Sequence, residues 1–332
     1  MAISADLVDS SLTIQGRRKN EMTTLCEMLG IEYPIFQGAM ARIATADIAS
    51  AVSNAGGLGI IASGGMTADQ LRAEIQKCKT MTDKPFAVNL MLMMKNCPEL
   101  VDVVIEEGVK VVTTGAGTPK PFMPKFKEAG IKVIPVVASV KHAQKMEALG
   151  ADAIVAEGTE AGGHVGETTT MCLVPQVVSA VNIPVLGAGG VGDGRGVVAM
   201  YAMGAQGIQV GTLFLSAEEC PVPATFKQAV LDADDTATIV TGRRNGAPVR
   251  SIKNKMLAKF QELENNNASR DELEELSLGS LSKAVFEGDV ENGSVMAGQI
   301  TGMVRDIRPA KEIIETLFKD AEAIAASLKI AY

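Results

Sequence analysis

Eight short runs of β-branched and small apolar residues recur through the first 212 residues of this 332-residue chain. A glycine or polar turn and then a stretch with helical apolar spacing follows each run, and that alternation limits the chain to a few architectures. The runs are Ile35–Met40, Leu58–Ala62, Phe86–Leu90, Lys110–Thr114, Lys132–Val137, Ala153–Glu157, Val185–Gly189 and Gly207–Gly211. Between them lie amphipathic segments such as Ala68–Lys79 and Val140–Leu149, and several intervening helices stop at a glycine: Gly108, Gly130, Gly150 and Gly204. Strands that are apolar throughout, each followed by a helix, form a parallel sheet covered by helices. Such a sheet is either closed into a barrel or left open and doubly wound. The count of eight favours closure. So does the first turn, Gln37-Gly38-Ala39-Met40, which lacks the G-x-G-x-x-G of a dinucleotide-binding half. The expectation is an α/β fold, a (β/α)8 TIM barrel.

After Gly211-Thr212 the rhythm breaks. Residues 221–285 hold charged helical text and the polar run Glu264-Asn265-Asn266-Asn267, with no obvious parallel strand. They are expected to form a smaller, mainly helical subdomain inserted after strand eight, on the substrate or nucleotide side. The barrel is expected to comprise residues 21–220 plus 286–332, ending in an amphipathic helix from Ala310 to Ile330. Residues 1–20 are read as a polar N-terminal extension.

Composition narrows the function. With 47% hydrophobic residues the chain can bury a large core, yet no apolar stretch approaches the ~20 residues of a spanning helix. A net charge of −8 argues against a general nucleic-acid binder. Cys26, Cys78, Cys97, Cys172 and Cys220 are odd in number and lack zinc or redox spacing, and the N-terminus lacks a secretory signal. Reduced thiols in a cytoplasmic protein are expected.

Barrel active sites lie at the C-terminal ends of the strands, with phosphates held after strands seven and eight. Here those loops read Gly187-Ala188-Gly189-Gly190-Val191-Gly192 and Gln209-Val210-Gly211-Thr212. Glycines let backbone N–H groups approach phosphate oxygens, and a threonine hydroxyl adds a donor, so a phosphorylated cofactor is implied. The alternative is that the glycines only close turns. The loop after strand six carries His164 between glycines, where a neutral imidazole could donate to a carbonyl or move a proton. The other histidine, His142, is expected to face solvent at the start of a helix. Asn89, inside the apolar run Phe86–Met94, serves either a ligand's ring edge or a hydrogen bond across the barrel. Glu157 ends strand six and could face a ligand ring or the loop glycines. Met40 and Met91–Met94 either flank an apolar ligand or fill core space.

The segments EGTEAGGHVG, VLGAGGVGDG and IQVGTLFL, with YPIFQGAM and FAVNLML, resemble the nitronate monooxygenase and enoyl-ACP reductase II superfamily of FMN barrels. The resemblance runs from about Leu25 to Leu317. The tail SLGSLSKAVFEGDVENGSVMAGQITGMV looks specifically like the bacterial enoyl-ACP reductase II (FabK-type) branch. The resemblance implies FMN, with Ala39 and Met40 along the isoalloxazine and Asn89 at its edge. Glu157 and Gly162 would line the ring and ribityl side. Gly189, Gly190, Gln209, Val210, Gly211 and Thr212 would take the phosphate, and His164 matches the family's active-site histidine. Nitronate monooxygenases tend to carry glutamine where Glu157 stands, which leans the reading toward the reductases. The implied reaction reduces a trans-2-enoyl thioester with NADH or NADPH in fatty-acid elongation, with an acyl carrier protein as partner and a homodimer as assembly.

A carrier protein is strongly acidic, so a basic landing site is expected. Gly242–Phe260 holds Arg243, Arg244, Arg250, Lys253, Lys255 and Lys259 without a carboxylate, and part of it is expected to face the carrier or the nucleotide unless it is an ordinary solvated face. Nitronate monooxygenase is the alternative function. An IMP-dehydrogenase-like enzyme would need a cysteine nucleophile, for which Cys172 lies in the right region but the wrong surroundings. A non-catalytic flavin-sensing barrel would leave His164 without a task.

Overall fold

In the computed structural model, which describes residues 24–329, the eight runs are eight parallel strands. They are β1 (Ile35–Gln37), β2 (Gly59–Ala62), β3 (Phe86–Met91), β4 (Val111–Gly115), β5 (Lys132–Val137), β6 (Ile154–Glu157), β8 (Val185–Ala188) and β9 (Gly207–Val210). A two-residue strand, β7 (Gly163–His164), interrupts the series and belongs to another sheet. The N-terminal extension expected at residues 1–20 lies outside the described residues.

The sheet closes on itself. β1 pairs with β9 through Ile35↔Ile208, Phe36↔Gln209 and Gln37↔Val210. On its other side a single bridge, Phe36↔Leu58, joins β1 to the start of β2. Gln37 strengthens that short seam, its Oε1 accepting from the Ile60 N–H at 3.0 Å. The period-2 geometry of a strand sends alternate side chains to opposite faces, and here both faces are buried. Phe36, Leu58, Ile60, Ile134, Val155 and Leu186 fill the barrel, while Ile35, Ile61, Val88, Val133, Ile154 and Ile208 meet the helical shell. All are fully buried, each contributing about 1.5–3 kcal/mol, which is why the runs read as apolar throughout. Gly59 shows how tightly the shell sits: a Cβ there would lie 1.8 Å from the Ala49 carbonyl oxygen of the helix Ala46–Asn54.

A short helix, Leu25–Leu29, capped reciprocally by Thr24 and Glu27, adds Leu25 and Leu29 to the interior cluster. Leu25 lies beside Gly207 at the start of β9, so the N-terminal end of the barrel is plugged and the opposite end is left for ligands. The last helix, Ala310–Ser327, packs on the helix Gly194–Ala202 and stacks Phe318 on Tyr33 at a ring-centroid distance of 5.1 Å.

Between β9 and that last helix the chain forms helices at Ala224–Leu231, Lys255–Asn265 and Arg270–Ser277, as the charged helical text suggested. It also forms an antiparallel hairpin, β10 (Thr238–Thr241) and β11 (Val249–Ile252), which the amino-acid pattern did not reveal. β11 pairs in turn with β7 through Val249↔His164 and Arg250↔Gly163. Among the described residues no helix is long and apolar enough to cross a membrane.

Candidate active site

A cavity of about 580 Å³ lies at the C-terminal ends of the barrel strands, within the range of small-molecule and cofactor pockets. All twelve residues singled out from sequence line it: Ala39, Met40, Asn89, Glu157, Gly162, His164, Gly189, Gly190, Gln209, Val210, Gly211 and Thr212.

One corner is built for backbone donation. Gly189 and Gly190 take left-handed φ values of +90° and +78° in succession, a concave turn that L side chains resist. Neither amide has a backbone partner among the described residues. A Cβ at Gly189 would press on the Thr170 hydroxyl at 3.0 Å, whereas at Gly190 the space is open. Thr212 faces the same corner, its hydroxyl accepting from the Gly298 N–H at 2.9 Å and keeping its own hydrogen to donate.

His164 is held by three separate attachments of its loop. β7 joins β11, and the Val165 N–H donates to the Pro248 carbonyl at 3.1 Å. Arg250, 6% exposed, directs Nε and Nη2 to the Thr159 carbonyl at 3.1 and 3.0 Å and Nη1 to the Thr238 hydroxyl at 3.1 Å. Arg243 pairs with Glu167. Inside the loop, Glu160 accepts from the backbone N–H of Thr170 at 3.0 Å and from its hydroxyl at 2.8 Å, tying the loop to the start of the helix Thr170–Ala180. The loop is thus braced from both sides, while the imidazole stays at the cavity surface with no hydrogen-bond partner among the described residues.

Two of the twelve have pKa values moved by removal from water. Desolvation by the surrounding loops lowers that of His164 although the residue stays exposed at the cavity wall, so the imidazole is neutral at neutral pH. Burial also raises the Glu157 carboxyl from 4.5 to about 7. The little surface Glu157 retains faces the cavity. Asn89 commits one N–H to the Thr113 hydroxyl at 3.0 Å, leaving its other N–H and its oxygen for a ligand. The bond runs to the neighbouring strand β4 and not across the barrel, and it is compatible with a place at a ligand's edge.

The Glu157 shift carries a stability prediction. The folded chain holds this proton more tightly than the unfolded chain, so the associated stability is fully present below pH 4.5 and is lost as pH rises through about 7. The loss is about 3 kcal/mol at most. Glu157→Gln keeps the shape without the charge. Its Tm, measured at about pH 5 and about pH 8, is expected to fall less between the two than the wild-type Tm. Equal falls would show that the carboxylate is not destabilising.

The structure corrects one expectation and trims another. His142 does not face solvent: it is half-buried and lines the same cavity, its pKa lowered by burial and then by Lys145. The first turn of a barrel helix sits at the strand's C-terminal end, which was the available signal. In the basic stretch, Arg250 is buried, Arg243 is paired with Glu167, Arg244 donates to the Glu264 carbonyl at 2.9 Å and Lys255 pairs with Glu291. Lys253 and Lys259 are left exposed. Two contributors to the site were not evident from the amino-acid pattern. One is Glu160. The other is the segment Met296–Gly298, whose backbone lies against Gly162. Cys172 is exposed and is not among the cavity residues, which removes the cysteine-nucleophile reading.

Comparison with known proteins places this geometry. The structure of FabK from Thermotoga maritima is similar over 92% of this chain and 98% of that one, at 46% identity and a TM-score of 0.89. A nitroalkane oxidase from Streptomyces ansochromogenes is similar over 90% and 98%, at 28% identity and a TM-score of 0.82. Among curated relatives, a (3aS,4S,5R,7aS)-5-hydroxy-7a-methyl-1-oxo-octahydro-1H-indene-4-carboxyl-CoA dehydrogenase of Mycobacterium tuberculosis is 36% identical, over 90% of this chain and 96% of its own length. A probable nitronate monooxygenase of Staphylococcus saprophyticus is 33% identical, over 91% and 98%. The family model described as nitronate monooxygenase matches residues 22–320, nearly the whole barrel and everything that braces His164, and the chain belongs to that family of oxidoreductases.

Proposed function

We propose that the chain is an FMN-dependent enoyl-acyl-carrier-protein reductase, which saturates a trans-2-enoyl thioester at the expense of NADH or NADPH. The observation that carries the reading is the 46% identity to FabK across 92% of the chain, against 28% to the nitroalkane oxidase structure. Glu157, rather than glutamine, at the end of β6 points the same way, as does the relative whose name is that of a carboxyl-CoA dehydrogenase, since it too concerns a thioester.

The residues fit FMN. Two adjacent left-handed glycines whose amides have no partner among the described residues, and a threonine hydroxyl beside them, suit a phosphate. Ala39, Met40 and Val210 give apolar wall for a flat ring, while Asn89 and Gln209 offer amides to its edge. Bound there, FMN supplies two-electron storage between a nicotinamide and the substrate double bond. The protein's own part is to orient, exclude water and manage one proton. His164, neutral at its place on the cavity wall, donates toward the thioester oxygen as charge develops on it, or relays the proton that reaches the α-carbon. Glu157 is half protonated at about pH 7 and largely protonated below it, which lessens the negative charge near the ring site. In this reading residues 221–285 cover the substrate side, through the strand that β11 adds to β7.

The test follows NAD(P)H oxidation by the full-length protein anaerobically, with and without a short enoyl thioester. Oxidation that requires the thioester and yields its saturated product is the expected result. The second reading, nitronate monooxygenase, is supported by the 33%-identical staphylococcal relative. Oxygen consumption with an alkyl nitronate and no NAD(P)H, alongside inertness to the thioester, would replace the reductase reading with it.

A further inference from the structure

The mouth of the barrel is charged unevenly. The segments leading from β1 to β4 into their helices, residues 38–45, 63–67, 92–96 and 116–122, contain Arg42, Lys95 and Lys120 and no aspartate or glutamate; after β5, Lys141 stands in the first turn of its helix, as Asp47, Asp69 and Glu99 do in theirs. The loop after β6, residues 158–169, instead contains Glu160 and Glu167. All four cations are exposed, and none has an ion-pair partner among the described residues. The loops after β1 to β4 are stitched together. The Asn96 amide donates to the Met66 carbonyl at 2.9 Å, the Leu92 N–H donates to the Gly115 carbonyl at 3.0 Å, and the Arg42 guanidinium lies over Gly65. Met93, beside Lys95, is 70% exposed and also lines the cavity, so the rim and the site are continuous.

We propose that Arg42, Lys95, Lys120 and Lys141 form the docking surface for an acidic carrier protein, whose thioester-bearing arm enters past Met93. The inference deepens the reductase reading and rests on it. The span of the arc selects the occupant. Four steps between neighbouring strands, at about 4.8 Å each, spread the cations over about 20 Å before their side chains are counted. That suits a protein face; a nucleotide pyrophosphate needs donors that converge. With a net charge of −8, an acidic partner is repelled at long range unless a local positive field guides it to the mouth. Cations with no internal partner give up no ion pair on docking.

The experiment compares the full-length wild type with a Lys95→Glu/Lys120→Glu/Lys141→Glu variant and with a Lys253→Glu/Lys259→Glu control. Arg42 is left in place because its φ of +64° makes it a backbone constraint as well as a charge. Each protein is assayed with an enoyl chain on holo-acyl carrier protein and with the same chain on N-acetylcysteamine. The KM for the carrier-borne substrate is expected to rise ~10–100-fold in the triple variant only, an effect that shrinks with added salt. The KM values for the N-acetylcysteamine thioester and for NAD(P)H are expected to hold within about twofold. An unchanged carrier KM, an equal rise in the control, or a rise for NAD(P)H instead would overturn the docking surface. If the wild type reduced neither thioester, the reductase reading would fall, and calorimetric titration with holo-carrier would still decide the surface: no binding to wild type, or equal binding to both, overturns it.

Discussion

Replacing His164 with alanine is expected to lower the rate of enoyl-thioester reduction by ~10²–10⁴-fold while flavin stays bound. Among the described residues, the imidazole combines a pKa lowered by desolvation with a loop braced on both sides and no internal partner of its own. A group so placed is neutral at pH 7 and free to donate. The flavin corner, by contrast, is assembled from Gly189, Gly190 and Thr212 on other loops, so the visible spectrum of the purified variant should match wild type. His164→Gln separates the two roles. An amide can hydrogen-bond to a developing oxyanion but does not exchange a proton near neutrality. Partial recovery in glutamine would assign charge stabilisation, and none would assign proton relay. Wild-type turnover in the alanine variant would remove His164 from the mechanism.

The second large effect is expected at a glycine–glycine seam. A Cβ on Gly162 would lie 2.6 Å from the Ala297 carbonyl carbon and 2.8 Å from the Gly298 nitrogen. A Cβ on Gly298 would lie 2.8 Å from the Glu160 carbonyl oxygen. These are backbone atoms, so no rotamer relieves the clash. The two strips must separate, straining the Gln299 N–H to Glu160 carbonyl bond at 2.9 Å and the Gly298 N–H to Thr212 hydroxyl bond. Gly162→Ala or Gly298→Ala is expected to cost about 1–3 kcal/mol in denaturant unfolding. Each is also expected to weaken flavin retention on the order of 100-fold, since about 2–3 kcal/mol of cradle geometry goes with it. Wild-type flavin retention in either variant would mean that the seam does not shape the cradle.

The strands were legible because both of their faces are buried, which leaves an apolar run with no polar alternation to blur it. The first is shorter than its text: β1 stops at Gln37, since Gly38-Ala39-Met40 already turns along the cavity. The glycine loops after β8 and β9 were legible because a closed barrel dictates where such loops must sit. The hairpin was not. Thr238–Val240 are only half-buried, and β7 is two residues long, too short for any period. His142 was misplaced because a first-turn residue looks like surface until the helix is set at the rim. Met296–Gly298 belong to no helix or strand, so only the fold brings them to Gly162.

The pairing of β7 with β11 also sets an order of events during synthesis. A nascent chain that has emerged through Thr212 already holds all eight barrel strands and both glycine loops. It does not yet hold Val249, the residue opposite His164, nor Arg250, which fixes the Thr159 carbonyl. The ribosome therefore releases the glycine loops before it releases a braced histidine. The cradle itself is finished later still, when Gly298 reaches Gly162 and the Thr212 hydroxyl, so the donor loop is braced before the seam that shapes the cofactor corner can close.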